Sequence, residues 1–181
     1  LERFAAHAAL SLRSAKLLDQ VSKAKTAARA VARMTALGDH NKTLNSITKE
    51  TMEAVRCDAV VLYAYDQFTN KLDHPPTMDG VIYPDRVTRY GEVRSGSLVY
   101  EIFKRDEPLV VENVPEDPFF RNRRFALDEG IKSCVAIALK AAEQKVGVMF
   151  VNYRAPHRFT SEEITNIGLF ADQAAVAIRN A

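Results

Sequence analysis

The chain has 181 residues, 47% hydrophobic and 27% charged, with 25 Lys and Arg against 23 Asp and Glu for a formal net charge of +2. This balance excludes a disordered chain, a collagen and a disulfide scaffold, and fits a soluble domain with appendages. No run of about 18 uncharged apolar residues occurs, and Glu2, Arg3, His7 and Arg13 interrupt the apolar start. The sequence therefore predicts neither a membrane span nor a signal peptide, and any membrane tether of a parent protein falls outside this segment.

Residues 1–36 contain no Gly or Pro and are rich in Ala, Leu, Lys and Arg, all strong helix formers. They predict one helix about 54 Å long at 1.5 Å per residue, more than a small body can cover. Phe4, Ala8, Leu12, Ala15, Leu18, Val21, Ala24, Ala28 and Val31 step by three or four, a seam suited to helix pairing and hence to a homodimer. Arg3, Arg13, Lys16, Lys23, Lys25, Arg29 and Arg33 against Glu2 and Asp19 give this stretch a surplus of five, leaving −3 for residues 37–181. Without interleaved aromatics the basic excess reads as a solvated helix face rather than a nucleic-acid-binding arm.

A second, amphipathic helix is predicted over Asn41–Val55, with Leu44, Ile47, Thr51 and Met52 on its apolar face. Ala59–Tyr65 is a short apolar run of strand formers, expected as a central strand buried on both faces. A second strand is expected near Lys71–His74. Irregular structure should then run to residue 96, given Pro75, Pro76, Gly80, Pro84, Gly91 and Gly96. Ser97 caps a short helix through Val99, Ile102 and Phe103, and the strand Leu109–Val111 follows. Asn113–Phe120 is turn-rich and leads to a helix around Arg123–Glu129, closed by Gly130. Ser133–Leu139 and Val146–Tyr153 read as a hairpin joined by Lys140–Lys145. Thr160 or Ser161, with Glu162 and Glu163 behind it, opens a final helix through Ile164, Ile167, Phe170, Ala174 and Ile178. Hairpins outnumber βαβ units, so the fold class is α+β.

An internal echo links the two ends. Phe4–Ala15 laid on Phe170–Ala181 at an offset of 166 gives six identities in twelve positions, with Phe, Arg and the final Ala in phase. Such phased agreement indicates that the chain begins with the closing helix of one module and ends with that of the next.

The stretches Gly130–Leu139, Val146–Tyr153 and Arg158–Glu163, the last leading into FADQAAVAIRNA, resemble the GAF family of sensory domains. The resemblance implies a GAF domain over residues 39–181, preceded by a signalling and dimerisation helix over 1–38. It implies a six-stranded antiparallel sheet with helices on both faces, bundled on one, and a ligand pocket under loops on the other. The expected function is a non-catalytic, small-molecule-sensing regulatory domain of a larger signalling protein, in contact with flanking domains through its terminal helices. The alternative is a spacer module that only dimerises and binds nothing.

Several chemistries known for the family lack their residues here. The cyclic-nucleotide motif is approximated by Asn152-Tyr153, Phe159 and Glu162-Glu163, but its Lys is missing and its spacing is one residue short. The bilin-attaching Cys has no counterpart, since Cys57 precedes the first strand and Cys134 lies within one, and the pocket-loop cysteines of a methionine sulfoxide reductase are also absent. Neither cysteine belongs to a CxxC pair, so a reducing, cytoplasmic setting without a redox motif is expected. His7, His40, His74 and His157 show no metal-ligand spacing. Of the four, only His74 sits where a haem could be tested for. No cofactor is predicted beyond an unidentified small molecule. The residues expected around it are Tyr63, Val111, Asn113, Asp117, Phe120, Arg124, Phe125 and Cys134. The Arg121–Arg124 cluster at the pocket rim would favour an anion.

Overall fold

The computed structural model describes residues 40–90 and 93–180. The expected helix over 1–36, its pairing seam and the first half of the echo lie outside these residues. The described chain opens in a helix over residues 40–55 (α1). Strands follow at Ala59–Asp66 (β1), Lys71–Leu72 (β2) and Thr77–Asp79 (β3), then helices at Pro84–Arg89 (α2) and Leu98–Lys104 (α3). Strand Leu109–Val111 (β4), helix Arg124–Asp128 (α4), strands Ser133–Ala141 (β5) and Gln144–Tyr153 (β6), and helix Ser161–Arg179 (α5) complete it.

The six strands form one antiparallel sheet in the order β2-β1-β6-β5-β4, with β3 also paired to β1. Alternation along each strand divides the apolar side chains between two cores. Val60 and Leu62 of β1, Val135 and Leu139 of β5, and Met149 and Val151 of β6 pack against Leu44 and Ile47 of α1 and Ile167, Ala171 and Ala174 of α5. The intervening residues Val61, Cys134, Ala136, Val148 and Phe150 face the other way, toward Ile102, Val114, Phe120, Ala126 and Ile131. Each large side chain removed from water in these cores contributes about 1.5–3 kcal/mol. The register that creates the split places Val61 beside Phe150 and Tyr63 beside Val148.

Three details differ from expectation. The second strand stops at Leu72 instead of reaching His74, because Pro75 and Pro76 bring no amide to the ladder. The stretch to residue 96 holds two elements rather than irregular structure. One is β3, which pairs Val60 with Asp79 and Leu62 with Thr77; the other is α2, which Pro84 opens at its first turn, where a missing amide costs nothing. The loop expected over Lys140–Lys145 is a two-residue turn, Ala142-Glu143, with Ala142 at φ 54°. Its lysines are strand residues whose ammonium groups meet Asp106 at 3.1 Å (Lys140) and 3.3 Å (Lys145). The start of α5 is fixed by Thr160, whose hydroxyl accepts from the Glu163 amide while the Glu163 carboxylate accepts from the Thr160 amide.

Two close fits tie the layers. Gly147 of β6 lies where a Cβ would be 2.5 Å from the Tyr63 carbonyl oxygen and 3.3 Å from Cδ1 of Ile178 in α5. Glu129, just after α4, has a side chain only 1% exposed. It accepts from the amides of Ile82 and Tyr83, each at 2.8 Å, and from Nη2 of Arg154 at 2.6 Å. Arg154 also donates to the carbonyls of Gly80, Asp58 and Glu129.

Removing one partner of a buried pair strands the other, at a cost of roughly 3–5 kcal/mol. Glu129→Ala is therefore expected to lower stability by about that amount in urea unfolding and to speed hydrogen exchange at the Ile82 and Tyr83 amides. Cys134 is fully buried, so Cys134→Ser places a hydroxyl among apolar neighbours and should cost roughly 1–3 kcal/mol. Cys57→Ser should cost less in the same assay, because the Ala59 carbonyl lies 3.9 Å from its sulfur and can accept from a hydroxyl.

Candidate functional site

A cavity of about 590 Å³ opens on the sheet face opposite α1 and α5, within the range of small-molecule sites. Its floor is Val61 and Tyr63 of β1 with Phe150 and Asn152 of β6, adjacent strands whose pleat turns these four residues to one side. Phe120, Phe125, Ala126 and Ile131 form one wall, and Leu98 and Val99 at the start of α3 another. Tyr90, Val93 and Arg94 close a third side, and Arg123 and Arg124 stand at the edge beside α4.

Two polar groups sit on the apolar floor. The Tyr63 hydroxyl has no hydrogen-bond partner among the described residues, and burial raises its pKa to about 12, so it stays a neutral phenol at physiological pH. The Asn152 amide nitrogen donates to the carbonyls of Ala59 and Phe150, each at 3.3 Å, which leaves its oxygen as an acceptor. At the edge, Arg124 lies over the Tyr90 ring at 5.7 Å, and the Tyr90 hydroxyl donates to Asp128 at 2.7 Å. Arg86 of α2 reaches the same carboxylate at 3.4 Å. Thus α2 is fastened to α4 through Asp128 at its C-terminal end and through Glu129 before its N-terminal end.

Of the residues expected around a ligand, Tyr63, Phe120, Arg124 and Phe125 line this cavity. Val111 and Cys134 are paired to each other on the same sheet face but are buried beneath its cover. Asp117 is a turn residue whose carboxylate accepts from the amides of Phe119 and Phe120, holding Phe120 against the floor. Asn113 lies at the start of that turn, its carbonyl accepting from Glu116 and Asp117. Val61 and Phe150 were missed, though Val61 is two positions from Tyr63 and Phe150 is its cross-strand partner. Tyr90 and Arg94 lie in the stretch that the sequence presents as irregular; Pro84 followed by Asp85 is the signal for α2, which Tyr90 caps.

The thiols are poorly suited to nucleophilic chemistry. Burial raises the pKa of Cys57 to about 12 and that of Cys134 further, and neither lines the cavity. His74 bonds the Thr88 carbonyl at 2.8 Å, and His157 stacks on Tyr153 and meets Glu163 at 2.9 Å. Among the described residues no group of three His, Cys, Asp or Glu is placed to hold a metal, and no helix is long and apolar enough to cross a membrane.

Comparison with known proteins follows the same lines. The domain of a protein assigned as a two-component sensor histidine kinase from Sinorhizobium meliloti 1021 is 21% identical, with a TM-score of 0.60 over 76% of this chain and 90% of that one. The GAF domain of a phosphoenolpyruvate-protein phosphotransferase from Coxiella burnetii is 19% identical, with a TM-score of 0.66 over 78% and 83%. Free methionine-R-sulfoxide reductase from Neisseria meningitidis, solved with its substrate, shares the fold at 15% identity and a TM-score of 0.60 over 77% and 78%. No curated protein sequence matches the chain. The family model described as GAF domain matches residues 39–178, well over half of the sequence, and the chain therefore belongs to the GAF family of sensory and signalling modules.

Proposed function

We propose that this chain is a regulatory GAF domain of a larger signalling protein that binds a small molecule in the cavity over β1 and β6. It passes the bound state to an output domain through its N- and C-terminal helices and carries out no chemistry of its own. The observation that supports the reading is the pairing of a 590 Å³ cavity with an unpartnered Tyr63 hydroxyl on its apolar floor. A spacer module would have no use for an open cavity of this size, and a packed core in its place would be more stable. The binding set is Tyr63, Phe120, Arg124 and Phe125 together with Arg94 and Asn152. Val111, Asn113, Asp117 and Cys134 shape the surrounding scaffold.

Residues 1–38 serve as the connecting helix and join two copies in a homodimer, while residues 39–181 form the sensory domain. The setting is a reducing cytoplasm, in keeping with two free, buried cysteines.

Native mass spectrometry of freshly purified protein is expected to show a non-covalent adduct of small-molecule mass. Tyr63→Phe should weaken its retention about five- to tenfold, the worth of one hydrogen bond of about 1 kcal/mol. The melting temperature of the ligand-free protein should not change, because the hydroxyl has no partner among the described residues. Absence of an adduct, together with no amide shift in a fragment screen by NMR, would favour the spacer reading. Light scattering on the full segment and on residues 39–181 is expected to give a dimer and a monomer; equal masses would remove residues 1–38 from the dimer contact.

A further inference from the structure

The charged side chains that line the cavity are all of one sign. Arg94, Arg123 and Arg124 all border it, and no Asp or Glu does. None of the three forms an ion pair among the described residues. Arg123 spends its Nε on the Phe119 carbonyl at 2.8 Å, and Arg124 faces the Tyr90 ring. The neighbouring acids already have partners: Asp128 takes the Tyr90 hydroxyl and Arg86, and Glu129 takes Arg154 and the amides of Ile82 and Tyr83. Asp117 accepts from two amides of its own turn. Three guanidinium groups around one opening, none in an ion pair among the described residues, are notable where residues 37–181 sum to −3. Like charges brought together without a counter-charge repel one another, and an anion between them relieves this.

Resting on the reading of the cavity as a ligand site, we infer that its ligand is a small organic dianion with a flat apolar body. The doubly charged end, a phosphate monoester or a pair of carboxylates, sits among Arg94, Arg123 and Arg124, whose forked donors match either group. The apolar body lies on Val61 and Phe150 between Leu98 and Phe125. At the inner end, a hydroxyl or amine of the ligand meets the Tyr63 hydroxyl or donates to the Asn152 oxygen. Recognition is thus divided: charge at the mouth, shape over the floor, and one hydrogen bond below.

The test is an NMR titration of the isotopically labelled chain with four probes of similar size: phenyl phosphate, isophthalate, benzyl alcohol and phenyltrimethylammonium. Phenyl phosphate or isophthalate is expected to shift the Tyr63, Phe150 and Arg124 amides and to bind at least about tenfold more tightly than benzyl alcohol, as charge-assisted bonds require. The margin should shrink with added salt. Arg94→Gln combined with Arg124→Gln should abolish it, while Arg158→Gln, an exposed residue outside the cavity lining, should preserve it; matched melting temperatures exclude misfolding. Whichever dianion binds more tightly identifies the source as phosphate monoester or dicarboxylate, and either result supports the inference. Benzyl alcohol or the ammonium binding as tightly as the dianions would overturn the anionic class and leave the ligand site standing. No shift with any probe would overturn both.

Discussion

One buried carboxylate organises the covered face of the sheet. Glu129 sits where water cannot reach it, and its charge is balanced by Arg154 and by two amides of the chain just before α2. An ionised group there is tolerated only with its acceptor capacity filled. The Gly80–Tyr83 segment must therefore run past the end of α4, and α2 must begin where it does. The next acid, Asp128, then takes the Tyr90 hydroxyl and Arg86. The last residue of α4 and the one just after it hold the two ends of α2, and the spacing between Tyr90 and Arg124 at the cavity edge is a result of that double tie.

The cavity itself follows from unequal cover. On one face α1 and α5 are regular and long; α5 has 19 residues, about 28 Å of helix at 1.5 Å per residue, enough to span the sheet. On the other face α2, α3 and α4 have 6, 7 and 5 residues, and turns connect them. Helices of about two turns or fewer cannot tile a sheet as ridges in grooves do, so a gap remains over β1 and β6. The strands beneath are apolar on both sides and present a greasy floor wherever they are uncovered. A pocket in this fold is thus the ordinary outcome of covering one side of a two-faced sheet with short pieces.

Much of this was legible from residues 40–180. Ala59–Tyr65 is apolar throughout and Val146–Tyr153 is apolar but for Gly147 and Asn152, a pattern that a sheet covered on both faces accommodates, and the Thr160–Glu163 box marked the start of α5. Tyr63 could be chosen from the sheet face, and Phe120, Arg124 and Phe125 because they belong to the strand–turn–helix segment that covers it. What stayed hidden depends on distance in sequence. Arg154 shows nothing of its tie to Glu129, 25 positions earlier, since an Arg after a strand is usually solvated. Lys140 and Lys145 looked like loop because their strand positions face water, and polarity there reports exposure rather than backbone conformation. Val111 and Cys134 share the pocket-side face with Tyr63 but are roofed over, and alternation cannot distinguish a residue under a roof from one under an opening.

Gly147 imposes a different kind of restriction. The atom that a side chain there would strike first is the carbonyl oxygen of Tyr63, 2.5 Å away, and every amino acid carries that oxygen. Trimming Leu139 or Ile178 would clear only the secondary contacts. No second-site substitution can act as a suppressor by removing the primary one, so relief would have to come from movement of the β1–β6 pair itself. Mutational searches around this hairpin should accordingly find many compensating combinations at Val146 and Val148 and none at the glycine between them.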